Sequence, residues 1–80
     1  MKPHVIVYSR PGCHLCDEAK SVIEEVQQEM ELTLEEVNIE HDLALLEKYR
    51  FDIPVITING VEAFRHRVDS SSFIKALLKF

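Results

Sequence analysis

Ser9-Arg10-Pro11-Gly12-Cys13-His14-Leu15-Cys16 decides how this chain is read, because it holds both cysteines and lies where a short apolar run gives way to a helical pattern. Two residues between the cysteines let the first sulfur occupy the opening turn of a helix and the second lie one turn further in. At that spacing a disulfide closes with little backbone movement. Such a pair is a reversible two-electron switch. Free backbone N–H groups and the positive end of the helix dipole favour an anion at the first sulfur, which makes Cys13 the expected nucleophile. Cys16, partly shielded, would resolve the mixed disulfide that Cys13 forms with a partner.

Competing readings of the two cysteines are weaker. A structural staple would close too short a loop to restrict the unfolded chain, and staples of that kind belong to secreted chains. Zinc takes four ligands, yet no second cysteine pair or closely spaced histidine pair follows, and His4, His14, His41 and His66 are scattered. Covalent haem attachment needs His directly after the second Cys, where this chain has Asp17.

Outward from the motif, Val5-Ile6-Val7-Tyr8 has the β-branched, apolar pattern of a central strand covered on both faces, and Pro11-Gly12 stops it. From Cys13 the period changes. Leu15, Ala19, Val22, Ile23, Val26 and Met30 fall on one helical face, with charged residues elsewhere. Leu32 to Ile39 reads as a second strand whose alternation slips between Leu34 and Val37, leaving its register open. Strand, helix, strand implies a parallel right-handed crossover. Asp42 is placed to cap a second helix with Leu43, Leu46, Leu45 and Tyr49 inward, ending before Ile53-Pro54. Val55 to Ile58, Asn59-Gly60 and Val61 to Phe64 form a hairpin with a type I′ turn. Asp69, or one of Ser70 to Ser72, caps a last helix with Phe73, Ile74, Leu77 and Leu78 buried. These elements predict an α/β fold: a four-stranded mixed sheet flanked by three helices in the order βαβ-α-ββα, one domain spanning residues 1–80.

Composition narrows the function classes. Eighty residues, 46% of them apolar, support one small folded domain with a thin core. No apolar run reaches the length of a signal-peptide core or a membrane span, so a cytoplasmic protein without a membrane partner is expected. A net charge of −5 argues against nucleic-acid binding, and the acidic run from Glu24 to Asp42 reads as solvated surface.

With C-x-x-C opening the first helix, Ile-Pro before the third strand and an Asn-Gly hairpin, the whole chain resembles the thioredoxin-fold superfamily. Within it, Tyr8-Ser9-Arg10-Pro11-Gly12-Cys13-x-x-Cys16 is similar to the active-site run of glutaredoxins. The resemblance implies that Ile53-Pro54 is a cis-proline segment, with Pro54 against the active-site disulfide and the backbone of Ile53 pairing with the substrate's cysteine. It further implies that Arg10 meets a glutathione carboxylate or an acidic partner and that Asp69 matches the family's acidic position. His14 and Leu15, between the cysteines, are expected to be substrate-binding; a cationic His14 would also stabilise the neighbouring thiolate, the alternative being an exposed helix-start residue with no chemical role. Two departures stand out. His14-Leu15 replaces the usual Pro-Tyr between the cysteines, and Phe64-Arg65-His66-Arg67-Val68-Asp69 lacks the Gly-Gly turn that admits the γ-glutamyl end of glutathione. For Arg65 and Arg67 the preferred role is edge-strand charge, and for Phe64 and Tyr8 it is core packing.

The resulting expectation is a monomeric thiol-disulfide oxidoreductase with catalytic Cys13 and Cys16 and no bound cofactor. Disulfide-containing proteins would be its substrates, and glutathione or a flavoprotein reductase its reductant. A metal or iron–sulfur carrier on the same cysteines and a non-catalytic interaction module are the rival classes.

Overall fold

A computed structural model describes residues 2–80. The elements in chain order are β1 (His4–Ser9), α1 (His14–Gln27), β2 (Thr33–Asn38), a 3₁₀ turn (Ile39–His41), α2 (Leu43–Tyr49), β3 (Val55–Ile58), β4 (Val61–Arg65) and α3 (Ser70–Leu77). The sheet order is β2-β1-β3-β4, with β1 parallel to β2 and antiparallel to β3, and β3 antiparallel to β4. This is the expected four-stranded mixed sheet with three helices. No helix among the described residues is long and apolar enough to cross a membrane.

Strand alternation splits the apolar residues between two layers. Val5 and Val7 of β1 and Ile56 and Ile58 of β3 face one side, where Ala19, Ile23 and Val26 of α1 and Phe73 and Leu77 of α3 pack over them. Tyr8 and Val55 face the other side and pack with Ile39, Leu45, Leu46, Ile53 and Tyr49; the Tyr8 and Tyr49 rings lie 5.0 Å apart. Tyr8 is therefore core, as expected, and Phe64 packs on Phe73 with ring centroids 6.2 Å apart. The hairpin turns at Asn59 (φ 51°) and Gly60 (φ 83°), the two positive angles that a type I′ turn needs.

Three details differ from the sequence expectation. Ile39 leaves the strand for the 3₁₀ turn because the Asn38 side chain accepts the Glu40 N–H at 2.9 Å, capping a new element where the strand was expected to continue. Leu43 is 70% exposed, since it opens a helix only two turns long whose inward positions are taken by Leu45, Leu46 and Tyr49. Leu78 is 72% exposed, because α3 closes at Leu77 and the residue after it has turned past the core.

Both predicted caps form. The Asp42 carboxylate accepts the N–H groups of Ala44 at 2.9 Å and Leu45 at 3.3 Å, and Asp69 accepts that of Ser72 at 3.0 Å. The bonds from Ser72 hold the Asp69 carboxyl below its ordinary value. A depressed carboxyl stabilises the fold fully above its unfolded value and loses that contribution as pH falls towards the folded one. Asp69→Ala is thus expected to lower the melting temperature at neutral pH. The gap from wild type should close in strong acid, a comparison that thermal denaturation at two pH values makes directly.

Candidate active site

The strand directions bring four loops to one end of the sheet. Ser9 ends β1 beside Asn38, which ends the parallel β2; Tyr8 pairs with Val55, which starts the antiparallel β3; and Val55 pairs with Arg65, which ends β4. The cysteine loop, the entry to α2, the Ile53-Pro54 segment and the turn into α3 consequently share one pole.

Arg10 to Cys13 form a tight turn closed by the Cys13 N–H on the Arg10 carbonyl at 3.3 Å. Pro11 presets its first corner and Gly12, at φ 78°, supplies the left-handed second corner of a type II turn. That turn delivers Cys13 as the N-cap of the 14-residue helix α1, where its Sγ accepts the Cys16 N–H at 3.2 Å. The first sulfur thus sits just ahead of the helix rather than inside its first turn. Cys13 and Cys16 are joined as a disulfide with Cα atoms 5.2 Å apart. Cys13 is half-buried and Cys16 only 2% exposed, so solvent reaches the first cysteine and hardly the second.

The other predicted residues fall in different places. The Ile53–Pro54 peptide is cis, Pro54 is buried, and the backbone of Ile53 has no turn or loop partner among the described residues. His14 is 86% exposed and its Nε2 lies 3.5 Å from Glu18 Oε1, one turn along the helix. Arg10 donates to Glu40 at 2.9 Å, so its charge is already matched within the chain. Leu15 and Asp69 meet across a groove of about 370 Å³ between α1 and the turn after β4, lined also by Glu18, His66, Arg67 and Val68.

That turn keeps the backbone shape of a glycine without the glycine. His66 stands at φ 65°, in the left-handed region that costs a residue with a Cβ roughly 1–2 kcal/mol. Its N–H donates to the Pro54 carbonyl at 2.9 Å, which ties the turn to the cis-proline segment. Asp52 reinforces the tie: Arg65 Nη1 lies 3.0 Å from one of its oxygens and His66 Nε2 3.8 Å from the other. Arg65 also grips Glu62, whose carboxyl it holds below the usual range. Arg65 is edge-strand charge as expected, whereas Arg67 lines the groove. Asp52 was not singled out from sequence, where it reads as an ordinary turn residue; only the β3–β4 register sets it opposite Arg65.

Comparison with known proteins fits this arrangement. The glutaredoxin-like domain (DUF836) model matches residues 4–78. The chain belongs to the glutaredoxin-like domain family. A glutaredoxin-like protein YDR286C homolog from Dictyostelium discoideum is 35% identical over 68 residues, which cover 78% of this chain and 63% of that protein, so the chain spans under two thirds of that relative's length. Protein Ne2328 from Nitrosomonas europaea superposes with a TM-score of 0.84 at 28% identity, covering 96% of this chain and 93% of that one. Malaria-parasite thioredoxin-2 shares the fold at a TM-score of 0.71 and 19% identity, covering 99% and 84%. In this glutaredoxin-like chain the shared fold carries a disulfide between Cys13 and Cys16 at the N-terminus of its longest helix.

Proposed function

We propose that the chain is a thiol-disulfide oxidoreductase. The observation that carries this reading is the contrast between a reachable Cys13 at a helix N-terminus and a Cys16 shut behind it. In the reduced protein the Cys13 thiolate, favoured by the helix dipole and the Cys16 N–H, attacks one sulfur of a partner disulfide and displaces the other as a thiolate. Cys16 then gives up its proton and attacks Cys13, which releases the partner's second thiol and closes the Cys13–Cys16 disulfide. Two electrons leave the protein and reduce one disulfide to two thiols. Reduction of a model protein disulfide, with recovery of the Cys13–Cys16 disulfide by mass spectrometry, tests the reading; failure of pre-reduced protein to do this would end it.

The groove supports a flavoprotein reductase as the reductant over glutathione. His66, at φ 65°, and Arg67 line it with large side chains where the resemblance to glutaredoxins implies two glycines that leave space for glutathione. A small ligand depends on a few close contacts and suffers most from such crowding, whereas a protein reductase spreads its contacts widely. Oxidised protein should therefore be reduced faster by an NADPH-linked flavoprotein reductase than by millimolar glutathione. His66→Gly with Arg67→Gly should raise the glutathione rate. Efficient turnover of wild type by glutathione and glutathione reductase alone would refute the assignment.

A further inference from the structure

Among the described residues, only Asn59 and His66 combine a positive φ with a Cβ. Asn59 belongs to the Asn-Gly turn, which requires that angle, whereas nothing in the local sequence requires it of His66. A residue kept in a disfavoured conformation persists where its surroundings hold it, and such positions gather at functional sites. What holds His66 is therefore informative.

The segment ahead of β3 supplies the hold. The His66 N–H donates to the Pro54 carbonyl at 2.9 Å, while the Asp52 carboxylate lies 3.0 Å from Arg65 Nη1 and 3.8 Å from His66 Nε2. Asp52 and Pro54 flank Ile53. The Ile53 backbone, which has no turn or loop partner among the described residues, thus lies between two neighbours anchored to the same turn. That turn continues as Arg67, Val68 and Asp69, the wall of the groove that faces Leu15, between the two cysteines. One carboxylate bears on both the open backbone and the groove wall.

Arg65 does not depend on Asp52 for neutralisation, because Glu62 also holds its guanidinium. With a side chain 30% exposed, Asp52 adds little to global stability through these pairs. A tie of that size is nevertheless comparable with the cost of one left-handed residue, so it is enough to decide where this turn sits.

Resting on the oxidoreductase reading, we propose that Asp52 is a positioning residue for polypeptide substrates. It fastens the strained His66 turn to the Ile53-Pro54 segment, so that groove wall and Ile53 backbone are arranged before a partner arrives. A partner that meets a prearranged surface loses less affinity to ordering it. A small disulfide, which touches little beyond Cys13, gains nothing from the arrangement.

The test compares wild type with Asp52→Asn, which keeps the side-chain shape and removes the charge. Pre-reduced protein is mixed in single turnover with a disulfide joining two peptides or with a small aromatic disulfide that has no peptide backbone. Each takes two electrons from the Cys13–Cys16 dithiol and yields two thiols, so no added reductant is needed. Asp52→Asn should slow the peptide disulfide about threefold or more and leave the small one unchanged, with a thermal midpoint within a few degrees of wild type. When His66→Gly is already present, positive φ carries no penalty, and Asp52→Asn should lose most of its effect. Unchanged reduction of the peptide disulfide by Asp52→Asn, or equal slowing on both disulfides, would overturn the positioning role and leave the oxidoreductase reading intact. An undiminished effect alongside His66→Gly would overturn it as well. Failure of wild type to reduce either disulfide would bring both readings down together.

Discussion

Replacing Cys13 with serine is expected to abolish disulfide reduction, whereas Cys16→Ser should leave the first attack intact and stop the reaction at a covalent complex. Cys13 caps α1 and is half-buried, while Cys16 is packed behind it. Only the first sulfur has a path to a partner's disulfide. Without the second, nothing inside the protein can displace that partner, and the mixed disulfide should accumulate until an outside thiol cleaves it. Non-reducing electrophoresis with a disulfide-bearing protein would display the trapped species for Cys16→Ser and its absence for Cys13→Ser. In the reduced wild-type protein, iodoacetamide at mildly acidic pH should label Cys13 first, as the thiolate at the helix end reacts faster than a buried thiol. First labelling of Cys16 would exchange the two roles.

The largest effect on stability is expected at Phe73. It is fully buried, packs on Phe64, and fastens α3 to α1 and to Ile56 and Ile58 of the sheet. Truncating a core phenylalanine costs about 3–5 kcal/mol, and in a domain of this size each kcal/mol moves the midpoint by roughly 4–8 °C. Phe73→Ala should therefore lower the melting temperature by more than about 10 °C or prevent folding altogether. Leu78→Ala, in the same apolar stripe by sequence but 72% exposed, should change stability by less than about 0.5 kcal/mol. Similar losses in the two variants, read by thermal or urea denaturation, would contradict the packing described.

The contrast between Phe73 and Leu78 also marks where sequence pattern stops being informative. Periodicity located α1, α3 and the hairpin because each buries a face against the sheet, and the Asn59-Gly60 and Asp69 signals act through local backbone chemistry alone. Leu43 and Leu78 have the right period but lie at helix ends, where one residue more or less of helix decides whether a side chain points inward. Ile39 is buried as an apolar residue should be, yet Asn38 diverts the backbone into a 3₁₀ turn. At the candidate site, the Cys13–Cys16 disulfide and the cis bond before Pro54 were legible because only cysteines form the one and only proline makes the other cheap. Asp52 was not, since its meaning comes from Arg65 and His66, which reach it only after β3 and β4 have paired. His66 shows the limit from the other side: glycine is sufficient for a left-handed turn but not necessary when neighbouring bonds hold the backbone there.

The gathering of four loops at one pole leaves the opposite pole with a separate task. There the strand entrance at His4 and the turn at Asn59 are bonded to each other, backbone and side chain, at 2.8 Å each. The six residues of β1 set this pole roughly 20 Å from the cysteine loop. No residue of the candidate site lies in the Asn59-Gly60 turn. Reporter groups or surface tethers placed beside that turn would sit a full strand length from the sulfur chemistry. The loops of the cysteine pole are by contrast committed: Ile39 and Ile53 pack in the second core cluster, Asp42 and Asp69 cap helices, and the His66 N–H on the Pro54 carbonyl ties the end of β4 to the start of β3. The domain is in that sense a chassis with one end free to carry a tether.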